Sequence, residues 1–202
     1  MNFLAHCALA STARFPEDEA LIVGGFLGDF HKGVVSQNLP ADIQTGIRLH
    51  RRIDAFSNQQ EDIKNSIRQF SAPFRRLAPV FVDILADHYL ATAWSTHYTK
   101  IDLLEFCQRT YQQIDKHSHL LPESGKAFFT YMKKNNLLAQ YRSKATPIRA
   151  MVHTAKRIGL EVDAQALSQE IEQIDDQLRK DFRTYYPLLE EHCRTWVSQN
   201  TN

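Results

Sequence analysis

The sequence predicts an all-α protein, folded as a single-domain helical bundle over residues 1–202. Three observations indicate this class. Long stretches repeat apolar residues every three or four positions, few stretches alternate apolar with polar residues, and only 7 Gly and 7 Pro interrupt the 202 residues. A chain of this length with 43% hydrophobic residues can bury a substantial core within one domain.

The apolar periodicity predicts nine helices in chain order. They cover residues 2–13, 17–32, 40–56, 59–70, 73–95, 101–117, 123–135, 143–158 and 163–197. Pro73 and Pro147 suit the first turns of their helices, because the amide hydrogen that proline lacks has no helical partner there. The Asn pair at 135–136 and the segment 158–163 are predicted as connections.

Composition and charge argue against several classes of partner. The formal net charge of +1 gives no basic field for a nucleic acid, and no run of apolar residues is long enough to predict a membrane span. The apolar N-terminal stretch lacks the basic start of a secretory signal. Three widely spaced cysteines, Cys7, Cys107 and Cys193, form no disulfide pattern. We therefore expect a cytoplasmic protein that binds neither nucleic acid nor membrane.

The stretch TGIRLHRRIDAF at 45–56 places polar groups on an apolar stripe. On a helix, His50 and Asp54 share a sector with Ile43 and Ile47. Side chains four residues apart are close enough to share a metal ion or to bond each other, and a buried carboxylate needs such a partner. The pattern therefore indicates either a metal site or an internal ion pair.

Polar groups also lie among apolar residues on three other predicted helices. Each has an imidazole or a carboxylate among apolar neighbours, and His88 projects roughly 100° away from Asp87. Imidazoles and carboxylates without thiolates suit a divalent ion such as Mn²⁺, Mg²⁺ or Fe²⁺. A structural network of ion pairs is the alternative. The candidate metal ligands are His6, Asp29, His50, Asp54, Asp87 and His88.

Basic side chains dominate residues 48–76 of this nearly neutral chain. Arg51 and Arg52 lie opposite the stripe that carries His50 and Asp54, so we expect them to bind an acidic partner at the rim of the site. A solubilising helix face is the alternative reading. The long amphipathic last helix could support a homodimer.

Four motifs carry a resemblance to a known family. MNFLAH at 1–6, LGDF at 27–30, HRRID at 50–54 and DHYL at 87–90 resemble the acyl carrier protein phosphodiesterases, and FRTYYPLL near the end is also similar. The resemblance implies a helical fold distantly related to the HD-domain metal-dependent phosphohydrolases. It also implies hydrolysis of holo-acyl carrier protein to apo-acyl carrier protein and 4′-phosphopantetheine, with a divalent cation, typically Mn²⁺, as the cofactor.

The resemblance also implies roles for individual residues. Asp29 corresponds to a functionally important acidic position, so we expect it to be catalytic as well as a ligand. His88 is expected either to bind metal or to donate a proton to the leaving alkoxide. The usual HD signature has an adjacent His-Asp pair, whereas here the adjacent pair is reversed, as Asp87-His88, and comes last.

Two other functions remain open at this stage. One is an HD-like hydrolase of nucleotides, although the sequence has no Gly-rich phosphate loop. The other is a helical binding protein whose buried polar groups only pair with each other. A thiol nucleophile is not expected, because Cys7 and its neighbour His6 diverge by roughly 100° on a helix.

Overall fold

The computed structural model describes residues 1–14 and 18–200, and these ranges contain helices but no strand. The predicted all-α class is confirmed. A short 3₁₀ turn lies at Ser118–Leu120. The α-helices are α1 Phe3–Thr12, α2 Glu19–Leu27, α3 Ala41–Ser57, α4 Glu61–Gln69, α5 Ala72–Arg75, α6 Ala78–Thr92, α7 Trp94–His97, α8 Leu103–Lys116, α9 Glu123–Lys134, α10 Leu137–Gln140, α11 Ala145–Arg157 and α12 Ala164–Asn200.

The second helix is shorter than predicted. Asp18 caps its start by accepting hydrogen bonds from the amides of Ala20 and Leu21 at 2.9 and 3.4 Å. At its end the amides of Phe30 and His31 both donate to the carbonyl of Leu27, at 2.9 and 3.1 Å, and this turn closes the helix. The prediction of a helix to residue 32 was therefore wrong, and Asp29 lies in the turn. Residue 17, where that helix was predicted to begin, lies outside the described residues.

The helix predicted over 73–95 is three helices. Pro73 and Pro79 each stand in a first turn, of α5 and α6 respectively. Pro79 has no amide hydrogen and restricts the residue before it, so the preceding helix cannot continue through it. Helix α6 in turn ends at Thr92.

Both predicted connections in the second half of the chain are present. Asn136 has a φ of 46° and precedes α10, a four-residue helix that is too short for a periodic pattern to predict. The second connection contains Gly159, which has a φ of 76°. The helix starts predicted at the two Pro-containing motifs are also present, as α5 and α11.

Helix α1 lies at the centre of the bundle. All residues from Leu4 to Ala10 are buried, and α2, α3, α6 and α12 pack against this helix. Helices α2 and α3 cross in backbone contact, because a Cβ on Gly24 would lie 2.6 Å from the Cα of Gly46. Helices α2, α3, α6 and α12 therefore carry side chains that can reach those of α1.

Helix α12 forms the longest wall of the bundle. It has 37 residues and packs against α1, α3, α4, α6 and α11. None of the helices in the described ranges combines the length and the apolar character needed to cross a membrane.

Candidate metal centre

Three of the six predicted ligands meet at one point. The ligand atoms of His6, His50 and Asp54 all lie within 4.8 Å of one another. His6 Nε2 is 3.1 Å from Asp54 Oδ1, and His50 Nε2 is 3.4 Å from Asp54 Oδ2. The two imidazole rings are stacked, with centroids 3.7 Å apart. We call these three residues the histidine–aspartate cluster.

The backbone of α2 orients His50. Its Nδ1 is 2.8 Å from the carbonyl oxygen of Gly25, which can only accept, so Nδ1 carries the proton. The lone pair is then on Nε2, which faces Asp54. Gly28 gives the ring its space, because a Cβ there would lie 2.2 Å from His50 Cγ. The glycine-rich sequence of α2 therefore positions this imidazole.

Burial and charge set the protonation of the cluster. Burial lowers the pKa of His6, and burial also lowers the pKa of His50, to about 4. Burial alone would raise the pKa of Asp54, but the hydrogen bond with His6 and the charge of the Met1 ammonium lower it well below its usual range. At neutral pH the cluster therefore has two neutral imidazoles and one carboxylate.

These donors fit a divalent transition metal. Neutral imidazole nitrogens suit ions such as Fe²⁺ or Zn²⁺, and a carboxylate suits Mn²⁺ or Mg²⁺. Mg²⁺ prefers oxygen ligands and retains its waters, so two imidazoles favour Mn²⁺ or Fe²⁺ over Mg²⁺. The side chain of Asp54 is 43% exposed, so the cluster is open to solvent at this carboxylate.

An aspartate that was not among the predicted site residues borders the cluster. The ammonium nitrogen of Met1 is 3.5 Å from Asp54 Oδ1 and 2.9 Å from Asp83 Oδ1. Burial alone would lower the pKa of this ammonium, but the charges of Asp83 and Asp54 raise it. The signal in the sequence was the spacing of Asp83 one helical turn before Asp87 on α6.

Asp29 is close enough to act on the cluster through its charge, although it is not one of the three clustered ligands. It follows Gly28, in the turn that contacts His50. Burial raises the pKa of Asp29, and the charges of the Met1 ammonium and of Lys32 oppose that shift. Asp29 in turn raises the pKa of His50. Its predicted role as a ligand or catalytic group stays a prediction.

Asp87 makes contacts different from those expected of a ligand. Its Oδ2 accepts a hydrogen bond from the amide of Leu4 at 2.9 Å, and its Oδ1 accepts one from the amide of Ala5 at 2.8 Å. Asp87 is fully buried, and burial raises its pKa to about 7 against the effect of these two hydrogen bonds. The carboxyl group therefore holds the N-terminus of α1, and it is not one of the clustered ligands.

His88 contacts groups outside the histidine–aspartate cluster. Its Nδ1 donates to the carbonyl of Tyr141 at 2.7 Å, and its Nε2 lies 3.4 Å from Arg179 Nη2. The ring lines a cavity of about 290 Å³ whose other lining residues come from α6, α11 and α12 and from Lys144, just before α11. Burial lowers the pKa of His88. Both ring nitrogens of His88 therefore contact groups outside the histidine–aspartate cluster.

Comparison with known proteins decides the family. A family model described as acyl carrier protein phosphodiesterase matches residues 1–189. The chain belongs to the acyl carrier protein phosphodiesterase family. The family prediction and the prediction of a phosphodiesterase enzyme are confirmed by this match.

Curated relatives with the name acyl carrier protein phosphodiesterase cover between 70% and 96% of the chain. The one from Photorhabdus laumondii is 29% identical over 191 residues, which are 95% of this chain and 94% of the relative. The one from Pectobacterium atrosepticum is 30% identical over 196 residues, or 96% and 98%. One from Escherichia coli is 32% identical over 145 residues, or 70% and 71%. No solved structure matches this chain, so the expected HD-domain likeness stays a prediction.

The motifs that resemble this phosphodiesterase family supply the cluster. MNFLAH contributes His6 from α1, and HRRID contributes His50 and Asp54 from α3. LGDF forms the turn beside His50, and DHYL supplies the carboxyl group that caps α1. The four motifs are thus neighbours in the structure, although they are spread over residues 1–90.

The two arginines predicted to bind a partner point to different places. Arg51 Nη2 donates to the carbonyl of His31 at 2.9 Å, beside the turn that carries Asp29. Arg52 is exposed and lies near His192 of α12, whose pKa is lowered by burial and by the charge of Arg52. Arg51 therefore borders the site, and Arg52 lies towards the last helix.

Proposed function

We propose that this protein hydrolyses holo-acyl carrier protein to apo-acyl carrier protein and 4′-phosphopantetheine. The bond that breaks is the phosphodiester link to the serine of the carrier. The observation that carries the proposal is the histidine–aspartate cluster, which brings His6, His50 and Asp54 together at a solvent-accessible point in a member of this phosphodiesterase family. Family membership supports the substrate, and the donor set supports metal-assisted hydrolysis.

The cofactor we propose is one or more divalent ions, with Mn²⁺ as the first candidate. Such an ion, when bound, neutralises the charge of a phosphodiester and lowers the pKa of a bound water. His6 Nε2, His50 Nε2 and the Asp54 carboxylate would hold it. Gly25 keeps the lone pair of His50 on Nε2, and burial keeps both imidazoles unprotonated at neutral pH.

Asp29 is the residue we propose for proton transfer. Its turn contacts His50, and burial raises its pKa, so its carboxyl oxygen can hold a proton closer to neutral pH than an ordinary aspartate can. That proton could pass to the serine oxygen as it leaves. His88 was the other candidate for this step, but its Nδ1 contacts Tyr141 and its Nε2 contacts Arg179.

Arg51 and Arg52 are the residues we propose for docking the carrier. Acyl carrier proteins are small and acidic, and the excess of basic residues over 48–76 gives this segment the opposite charge. Charge attraction of this kind raises the rate of encounter and is weakened by salt. Arg51 lies at the edge of the site, where it could contact the carrier close to the serine.

The direct test is to incubate the purified protein with holo-acyl carrier protein and Mn²⁺ and to follow the mass of the carrier. We expect the carrier to lose the mass of the 4′-phosphopantetheine group. An Asp29→Asn variant should lose this activity while keeping the helical circular dichroism spectrum. Cleavage of free nucleotides with an intact carrier would instead indicate an HD-like nucleotide hydrolase, and no cleavage of either would overturn the proposal.

A non-enzymatic binding protein would behave differently towards metal. Because a ligand that binds only the folded state stabilises it, Mn²⁺ should raise the melting temperature of chelator-treated protein. A protein whose buried polar groups only pair with each other should show no such rise. An unchanged melting temperature in Mn²⁺, together with an intact carrier, would therefore favour a scaffold.

A further inference from the structure

Aromatic side chains from three parts of the chain meet beside the proposed active site. Phe3 of α1 lies 4.6 Å from Phe128 of α9 and 6.3 Å from Phe30, measured between ring centroids. Phe30 lies 6.1 Å from Phe128, and Phe26 packs beneath Phe3 and Phe30 at 5.7 and 5.2 Å. We call Phe3, Phe30 and Phe128 the aromatic wall.

The aromatic wall is adjacent to the site along two chain segments. Phe3 precedes His6 by one helical turn on α1, so the two side chains lie on neighbouring parts of one face. Phe30 follows Asp29 in the turn beside His50. Helix α9 is held close to this turn, because a Cβ on Gly125 would lie 3.4 Å from Phe30 Cγ.

The aromatic wall is not fully part of the core. Phe26 is completely buried, whereas Phe3, Phe30 and Phe128 are each only partly buried. Tyr131, which is 56% exposed, adjoins the wall, with its ring centroid 6.4 Å from that of Phe128. Partly exposed aromatic rings that contact one another are typical of binding surfaces.

The charge around the aromatic wall indicates what it would bind. The three rings carry no charge, and two nearby lysines of α9 have acidic partners. Lys126 contacts Glu123 at 2.8 Å, and Lys133 contacts Asp115 at 2.8 Å. A strongly acidic surface would gain little from such a wall. An uncharged organic chain would gain apolar contact area and would leave no charge buried.

We propose that the aromatic wall binds the apolar part of the pantetheine arm while the phosphodiester is held at the histidine–aspartate cluster. This inference rests on the proposed function, because that function supplies the substrate. The arm carries two methyl groups on one carbon close to the phosphate and continues through uncharged amides. Its methyl groups would contact the rings, and the acidic carrier would lie on the side of Arg51.

The test compares two ligands that share a phosphate monoester. In the presence of Mn²⁺, calorimetry would measure binding of 4′-phosphopantetheine, which has the arm, and of methyl phosphate, which lacks it. We expect Phe128→Ala to raise the Kd for 4′-phosphopantetheine roughly tenfold and to leave the Kd for methyl phosphate unchanged. The control Leu188→Ala removes an exposed apolar side chain on α12 and should change neither Kd.

Three outcomes are informative beyond the expected one. If Phe128→Ala changes neither Kd, or both equally, the aromatic wall does not bind the arm. If this variant does not fold, Phe128→Leu keeps the apolar volume without the ring. It should then raise the Kd for 4′-phosphopantetheine roughly threefold, and an unchanged value overturns the inference. If the wild-type protein cleaves holo-acyl carrier protein but the Phe128 variants bind both ligands with unchanged Kd, the proposed function stands and only the role of the aromatic wall is refuted.

Discussion

His50 uses its two ring nitrogens for two purposes. Nδ1 is held by the carbonyl of Gly25, and Nε2 faces the carboxylate of Asp54 at 3.4 Å. A backbone contact to one nitrogen of a metal-binding histidine fixes which nitrogen carries the lone pair. The i, i+4 spacing of His50 and Asp54 was visible in the sequence, whereas the contact with Gly25 required the crossing of α2 and α3.

Removal of the charge on Asp54 should abolish metal binding. Asp54→Asn keeps the size of the side chain but takes away the only anion of the cluster, so the Mn²⁺-dependent rise in melting temperature should disappear. Activity on holo-acyl carrier protein should fall by about a hundredfold or more. Asp42→Asn, an exposed acidic residue on the same helix, should keep both properties. Retained metal stabilisation in Asp54→Asn would contradict the assignment.

The low pKa of His50 gives a pH dependence with a definite sign. A histidine must be deprotonated to bind metal, and His50 has a pKa of about 4 because burial lowers it. Proton competition at His50 should therefore begin well below the usual histidine pKa of about 6.5. The rise in melting temperature caused by Mn²⁺ should change little from pH 8 to 6 and shrink towards pH 4. A steep loss between pH 7 and 6 would be incompatible with these buried, neutral imidazoles.

At the scale of helices, Asp87 of α6 determines where α1 begins. Its two oxygens accept the amide hydrogens of Leu4 and Ala5, which have no partner within the helix. His6 follows directly in the same helix, so the contact also fixes the position of this imidazole along the helix axis. We regard Asp87 as a positioning residue that acts on the cluster through α1.

Loss of this cap should reduce the free energy of unfolding but should have little effect on metal binding. Asp87→Ala leaves two buried amides without acceptors and should reduce the free energy of unfolding by about 1–3 kcal/mol, measured by urea denaturation. Asp87→Asn keeps one acceptor oxygen and should lose less. The Mn²⁺-dependent stabilisation of Asp87→Asn should stay close to that of the wild type. Its complete loss in a folded variant would restore Asp87 as a candidate ligand.

Two glycines of the α2 region should respond differently to alanine. A Cβ at Gly28 would lie 2.2 Å from His50 Cγ, so Gly28→Ala must displace the ring and should weaken Mn²⁺ binding roughly tenfold or more. A Cβ at Gly24 would instead meet the backbone of Gly46, and Gly24→Ala should lower stability by about 1–3 kcal/mol. Calorimetric metal titration and urea denaturation of both variants would separate the effects. Equal metal affinity in Gly28→Ala and wild type would refute the steric argument.

At the scale of the whole molecule, charge is nearly balanced but unevenly distributed. The chain has a net charge of +1, while residues 48–76 carry more basic than acidic side chains. Arg51 and Arg52 lie on the same helix as His50 and Asp54 and leave it in different directions. This arrangement would give an acidic partner two separate contacts, one beside the site and one towards the last helix.

Charge reversal should reveal whether Arg51 and Arg52 dock the carrier. Arg51→Glu combined with Arg52→Glu should raise the KM for holo-acyl carrier protein roughly fivefold or more, because attraction becomes repulsion. The wild-type KM should also rise with salt, and the variant should lose that dependence. Arg109→Glu on α8 reverses an arginine outside the basic region and serves as the control. An unchanged KM in the double variant would contradict docking at this helix.

The sequence by itself determined the all-α class, most helix positions and the pairing of His50 with Asp54, because each follows from a period of 3.6 residues within one segment. It also identified His6 as a polar residue on a buried stripe. It did not distinguish the ligands from the residues that support them, and it missed Asp83. Periodicity indicates which face of a helix a residue occupies, but not which helix packs on that face.

The packing of other helices around α1 decides which of these side chains meet. The contact of α1 with α3 brings His6 to Asp54, while the contact with α6 directs Asp87 to the start of α1. On the same helix α6, His88 faces α11 and α12 and lines a separate cavity. Neighbouring residues of one helix diverge by roughly 100°, so Asp87 and His88, adjacent in the sequence, contact different parts of the bundle.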